Sequence, residues 1–210
     1  NTITSGKDKG IAINSVKCKM TISGNTIKKC KAYPIYCNPA STSYAITLKK
    51  NIITGNSKKI DGIRADSGKL ILSSNTISSC SRAIILSSKV KGTVYPNTFK
   101  KNTYNNVKVN SSYVNTLTVK SLSGKSKSAK TATLNWKKLS SASGYVVYRS
   151  ASKNGSYTKI STIKKNKTIT YKDSKLKRKS TYYYKIVPYT TIGKTTVYGL
   201  DSKIVSIKIK

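Results

Sequence analysis

Asn1-Thr-Ile3, Asn25-Thr-Ile27, Asn51-Ile-Ile53, Asn75-Thr-Ile77 and Asn97-Thr-Phe99 open five segments of this 210-residue chain, spaced 24, 26, 24 and 22 residues apart. A period in the low twenties with a fixed opening triplet marks a stacked repeat, in which no single unit can bury its apolar face alone. Each segment also carries an apolar-x-apolar pair near its middle: Ile11/Ile13, Ile35/Cys37, Ile63/Ala65, Ile84/Leu86 and Val107/Val109. A further pair precedes the next asparagine: Met20/Ile22, Ile46/Leu48, Leu70/Leu72, a degenerate stretch from Thr93 to Tyr95, and Leu117/Val119. Alternation points these pairs inward and makes three short strands per turn. No segment sustains a 3.6-residue period for the length of a helix, so the expected architecture is a parallel β-helix of about five turns.

Turns stacked about 4.8 Å apart align equivalent residues in ladders. Asn1, Asn25, Asn51, Asn75 and Asn97 form one, with amides bonding along the rod axis. Asn14, Asn38, Asp66, Ser87 and Asn110 form a second at a corner, where asparagine tolerates left-handed backbone. Both columns read as structural. These stacked turns resemble the right-handed parallel β-helix proteins of the pectate-lyase and polygalacturonase kind, over residues 1 to about 120. The resemblance implies the fold and little about activity, because that fold carries lyases, hydrolases, tailspikes, adhesins and noncatalytic surface proteins.

The repeat stops at a Ser/Lys/Gly stretch, Lys120 to Lys130, that lacks an apolar period. This divides the chain into a β-helix domain, 1–120, and a second domain, 121–210, built of short alternating strands between turn signals, as in a β-sandwich. Leu134 and Trp136, Tyr145 and Val147, and Leu176 six residues before Tyr182 resemble a bacterial fibronectin type III domain. That resemblance implies that Leu176, Tyr182, Tyr184 and Ile186 are core residues, with Tyr182 at the tyrosine corner. Arg178 and Lys179 replace the family's usual Pro-Gly, and no Arg-Gly-Asp is present. Such a module is a spacer or a binding surface.

The charge is unusual. Thirty-seven lysines and 4 arginines face 5 aspartates, with no glutamate, glutamine or histidine, for a formal charge of +36. Residues 1–113 hold 19 basic and 3 acidic side chains, and residues 114–210 hold 22 and 2. A field of this size draws anions, which points to acidic polysaccharide, wall polymer or extracellular DNA as partner. Lysine dominates over arginine and no helix is expected to enter a groove, which excludes sequence-specific nucleic-acid readout. Tyr36, Arg64 and Lys108 fall on one outward column of the middle strands and are the expected ligand-binding residues. Tyr104, Tyr113 and Tyr183 add possible stacking faces.

Material for catalysis is scarce. Asp61-Gly-Ile-Arg64-Ala-Asp66 is the one constellation of the kind, since a glycoside hydrolase needs two carboxylates facing one bond and a pectate-type lyase needs an acidic calcium cluster beside a base. The aligned neighbours Asn14, Asn38 and Ser87 do not ionise, so Asp61, Arg64 and Asp66 read first as corner hydrogen bonds and a local ion pair. Cys18, Cys30, Cys37 and Cys80 show no CxxC and no histidine partner, so neither metal nor cofactor is expected; Cys30 with Cys37 is the one disulfide the spacing admits, and buried free thiols are the default.

No apolar run is long enough to span a membrane, and both modules belong to exported bacterial proteins, so the expected location is secreted or on the cell surface. The leading reading is a noncatalytic structural or adhesive protein. The alternatives are the C-terminal part of a polysaccharide lyase or hydrolase with its catalytic turns upstream, and a filament subunit that stacks head to tail through the open edge of its first turn.

Overall fold

The computed structural model describes residues 1–4, 8–14, 18–39, 41–56 and 59–210. Among them every regular element is a β-strand. The contacts divide the chain into one unit of residues 1–115 with 191–197, and another of 116–190 with 198–210.

The first unit is a β-helix with three sheets. Thr2–Thr4, Thr26–Lys28, Ile52–Thr54, Thr76–Ser78 and Thr98–Lys100 pair in parallel in the first. Ile11–Asn14, Ile35–Asn38, Ile63–Ala65, Arg82–Leu86 and Tyr104–Val109 make the second, which Ser112–Val114 closes with an antiparallel strand. Met20–Ser23, Ala45–Lys49, Lys69–Ser73 and Lys91–Val94 make the third. Four turns therefore pass through all three sheets, and a fifth reaches only the first two. The inward side chains, among them Ile27, Ile53, Ile77, Ile35, Ile63, Ile84, Ile46, Leu48, Leu70 and Leu72, form one buried cluster.

The expected third strand of the last turn, Leu117/Val119, is not in this unit: the chain reverses at Ser112, and Val119 packs in the core of the second unit. Its place on the third sheet is taken by Thr195–Tyr198, with Thr93 opposite Thr196 and Val94 opposite Val197. Gly92 stands where Leu70 stands one turn earlier. A Cβ at Gly92 would lie 2.9 Å from Thr195 Cγ2 and Oγ1, so the missing side chain is what admits the late strand. The Thr195 hydroxyl accepts from Gly92 N at 3.2 Å and donates to Val90 O at 3.0 Å, while Val197 joins the core. The degeneracy of this turn is thus a seat.

At the corners before Asn25, Asn51 and Asn75 the backbone is left-handed, at Gly24, Lys50 and Ser74 (φ 68°, 55° and 55°). An amide chain holds the residues that follow. Asn25 Nδ2 donates to Asn51 Oδ1 at 3.1 Å, Asn51 Nδ2 to Asn75 Oδ1 at 3.0 Å, and Asn75 Nδ2 to Asn97 Oδ1 at 2.9 Å. The same oxygens accept the backbone N–H of the preceding asparagine, at 3.1, 3.1 and 2.9 Å. Asn51 Nδ2 and Asn75 Nδ2 also donate to Ile22 O and Leu48 O. Asn1 is exposed and enters by its backbone, its carbonyl accepting from Thr26 N at 2.8 Å.

The second unit is a β-sandwich. Leu122–Lys125, Ala132–Trp136 and Thr170–Asp173 form a three-stranded antiparallel sheet; Thr158–Ile163, Gly144–Ser150, Thr181–Ile192 and Val205–Lys208 form a four-stranded one. This three-plus-four arrangement is fibronectin type III-like. Leu134, Trp136, Tyr145, Val147, Leu176, Tyr184 and Ile186 share its core, with the Trp136 and Tyr145 rings edge to face at 5.3 Å. Tyr182 packs against that core, half-buried, and its hydroxyl accepts from Lys177 N at 3.2 Å, the corner bond of the fold. All four cysteines are free thiols, three of them buried, so Cys30 and Cys37 do not pair.

Asn51 and Asn75 are wholly buried, so loss of an amide here leaves donors and an acceptor unpaired. Asn75→Ala strips the acceptor from Asn51 N and Nδ2 and the donor from Leu48 O. We expect a loss of about 3 kcal/mol, seen as a lower urea midpoint at unchanged slope. A loss under about 0.5 kcal/mol would show that backbone pairing alone holds the stack.

Candidate functional site

The register of the second sheet stacks Ala12, Tyr36, Arg64, Ile85, Lys108 and Tyr113 in one outward column, each opposite the next. Tyr36, Arg64 and Lys108 therefore lie on one face of one sheet. Beside Tyr36, the Tyr33 ring stacks at 5.8 Å and 24°. Tyr36 Oη donates to Asp66 Oδ2 at 2.9 Å, Arg64 Nε donates to Asp66 Oδ1 at 3.1 Å, and Arg64 Nη1 donates to Tyr33 Oη at 3.1 Å. Two rings, a carboxylate and a guanidinium thus form a closed circuit, partly open to solvent. Lys9 Nζ lies 5.3 Å from the Tyr36 ring centre and 2.7 Å from Asp8 Oδ2. The Asp66 hydrogen bond, with burial behind it, pushes the Tyr36 phenol up, and the Asp8 bond holds the Lys9 ammonium above its usual range.

A second group adjoins it. Asp61 pairs not with Arg64 but with Arg82, Nη1 to Oδ1 3.6 Å, and Arg82 lies over the Tyr104 ring at 5.8 Å. Tyr104 and Tyr113 lie 6.3 Å apart, and Lys108 Nζ is 5.4 Å from the Tyr113 ring. Asp61 is 8% exposed, and burial raises its carboxyl pKa against the opposing pull of Arg82, Arg64 and Lys108. Asp61 Oδ1 and Arg82 Nε have no hydrogen-bond partner in the protein. Between Arg82 and Ile84 the register shifts: Arg82 faces Tyr104 and Ile84 faces Val107, so the last strand holds an extra residue. Such a bulge re-aims the side chains beside it.

Asp61 and Asp66, the two carboxylates of the catalytic reading, thus serve different partners. Both Asp66 oxygens are engaged, by Arg64 and Tyr36, and Asp61 is buried against Arg82. Tyr33, Arg82 and Lys9 were not among the expected site residues. They were detectable: Lys9, Tyr33, Asp61 and Arg82 each stand two residues before the inward isoleucines Ile11, Ile35, Ile63 and Ile84. Stacked turns align that position as they align the Tyr36 column. In the sandwich, Arg149, Asp173 and the buried Tyr184 hydroxyl form a comparable circuit that joins its two sheets, and burial pushes the Tyr184 phenol up.

The family described as "Periplasmic copper-binding protein (NosD)" matches residues 1–135. Among curated proteins none matches this sequence. Of solved structures, a Fn3-like protein from Clostridium thermocellum aligns at 29% identity over 43% of this chain and 88% of its own, with a TM-score of 0.37. The chicken CNTN1 FN1-FN3 domains align at 17% identity over 50% of this chain and 35% of theirs, TM-score 0.40. The 6th domain of human fibronectin type III domain containing protein 3 aligns at 19% over 46% and 87%, TM-score 0.38.

A raised Asp61 pKa means that the folded chain binds the proton more tightly than the unfolded chain. That contribution favours the fold at low pH and is lost as pH rises through the folded value. As pH rises from the ordinary aspartate range upward, Asp61→Asn should therefore gain stability relative to the native chain. Urea midpoints of both chains across that range supply the difference; a pH-independent difference would refute the raised carboxyl.

Proposed function

The chain belongs to the NosD family of β-helix proteins, and on that premise we propose that it is a noncatalytic, extracytoplasmic protein that holds anionic polymers against a lysine-rich surface. The family description is periplasmic, and among the described residues no helix is long and apolar enough to cross a membrane. Copper, the other word in that description, does not fit these residues. Copper sites draw on imidazole, thiolate and thioether. This sequence has no histidine and one methionine. Burial pushes the Cys37 and Cys80 thiols up to about 12, far from the thiolate a metal needs, and Cys18 stands alone in solvent. Among the described residues no three His, Cys, Asp or Glu side chains gather around one point.

One observation carries the polyanion reading. Each of the five aspartates is taken up by a cation of its own unit: Asp8 by Lys9, Asp61 by Arg82, Asp66 by Arg64, Asp173 by Arg149 and Asp201 by Lys185. The remaining charge, +36, must be balanced from outside the side chains. At physiological salt the screening length is about 8 Å, so closely spaced lysines still act together on a polymer at the surface. An uronic-acid polysaccharide, a wall polymer or extracellular DNA supplies the complementary charge. The column Tyr36, Arg64 and Lys108 is the proposed contact line, since it puts a ring, a guanidinium and an ammonium in one row.

Polygalacturonate and duplex DNA test the reading. Both should bind at about 50 mM salt and lose on the order of 10³-fold in affinity by about 200 mM, log K falling linearly with log salt. Changing Tyr36, Arg64 and Lys108 together to serine should weaken polygalacturonate more than the same change at Lys203, Lys208 and Lys210. Equal losses would leave bulk charge alone as the cause, and no binding at about 50 mM would end the proposal.

A further inference from the structure

The outward strip of the second sheet has a composition unlike the rest of its unit. Residues 1–115 hold three carboxylates, Asp8, Asp61 and Asp66, and all three lie here, each against a cation. Four of that unit's six tyrosines, Tyr33, Tyr36, Tyr104 and Tyr113, lie here too. Within a strongly positive unit the strip is close to neutral. A polymer on this strip is held at contact, by Arg64, Lys108 and the rings, because the aspartates offset much of the local field. Bulk attraction therefore does not account for this gathering of acids and rings.

We propose that the strip is a carbohydrate site that recognises uncharged, hydroxyl-rich sugar units of an extended glycan. Arg64 spends two of its five N–H donors inside the circuit, on Asp66 and Tyr33, and Asp66 accepts one bond on each oxygen. A donor and an acceptor with spare capacity thus stand side by side, which matches a vicinal diol whose hydroxyls each give and take a hydrogen bond. Tyr104 and Tyr113, 47% and 49% exposed, offer ring faces to the C–H face of a pyranose. Between these two ends lies the Arg82–Asp61 pair, Nη1 to Oδ1 3.6 Å, with the Arg82 side chain partly open to solvent. From the Tyr36 rung to the Lys108 rung is three strand spacings, about 14 Å, so several sugar units lie along the rod axis. The groups stand on paired strands and hold one another in place before any ligand arrives. The proposal does not need the polyanion reading.

Isothermal titration of the full chain with cellohexaose, xylohexaose and mannohexaose at low salt and at about 1 M, where the screening length is about 3 Å, separates the two. At least one neutral hexasaccharide is expected to bind equally at both salts. Tyr104→Ala and Asp66→Ala should each weaken it at least tenfold, while Lys203→Ser with Lys208→Ser leaves it unchanged. Thermal melts confirm folding, and the exposed Tyr104 provides a usable variant if Asp66→Ala does not fold. No binding of any of the three sugars, or binding indifferent to both substitutions, overturns the proposal. Polygalacturonate at low salt, run alongside, reports the polyanion reading: its binding without that of the neutral sugars sinks only the carbohydrate site, and the reverse result sinks only the polyanion reading.

Discussion

The amide chain from Asn25 to Asn97, buried at Asn51 and Asn75, fixes the vertical alignment of the turns, and every outward column depends on that alignment. Backbone pairing by itself permits slippage, since each strand of the first sheet is three residues long and offers few bonds to lock a register. The asparagines remove the ambiguity. Each oxygen accepts from both the backbone and the amide of its neighbour, so a one-residue slip would leave several buried groups unpaired at once. Specificity of stacking resides in a polar column, whereas the free energy of stacking resides in the isoleucines and leucines around it.

Stacking turns a sequence pattern into surface chemistry. A residue type repeated at one offset becomes a row, and residues of opposite charge at one offset become an ion pair. Asp61 and Arg82 are 21 residues apart yet occupy the same position of adjacent turns, which is why they meet. The same rule places Tyr36 beside Arg64 and Ile85 beside Lys108. Lysines are tolerated at left-handed corners such as Lys29, Lys50 and Lys101 because their side chains point into solvent there, and the corners thereby carry part of the charge.

The β-helix and the sandwich were legible because both write a short period into the chain: the asparagine repeat in one, and alternation between turn signals in the other. Leu176, Tyr184 and Ile186 lie in the sandwich core, as the resemblance to fibronectin type III domains implies, and the Lys177 bond to Tyr182 sits at the corner that the resemblance assigns to that tyrosine. What stayed hidden is nonlocal or irregular. Thr195–Tyr198 joins the third sheet about a hundred residues after its neighbour Lys91–Val94, and no local signal announces such a pairing. Only Gly92, an inward position without a side chain, marked the gap that it fills. The bulge in Tyr104–Val109 shifts Tyr104 by one position relative to a strict count, so Arg82 meets it where equal spacing would place Asn105. The partners of Asp61 and Asp66 were legible in kind and ambiguous in identity, because Arg64 lies near both in sequence while Arg82 lies near Asp61 only across the stack.

On the proposed reading, charge and recognition are separated on this molecule. The lysine excess acts at a distance, needs no particular geometry, and is weakened by salt. The strip of the second sheet acts at contact, through rings and hydrogen bonds whose positions the sheet sets, and its charges cancel locally. A surface built for attraction alone would not concentrate its few carboxylates beside its tyrosines, since each aspartate there lowers the local potential. Their cost in long-range attraction is offset only if they make short-range bonds to something that a lysine cannot bind as well. The same separation accounts for the mismatch with copper. A β-helix supplies rows of positions, and a family shares the rows; what is written into them decides the ligand. Here the outward row of the second sheet carries phenol, guanidinium and carboxylate in place of imidazole and thiolate, groups whose chemistry suits hydroxyls better than copper.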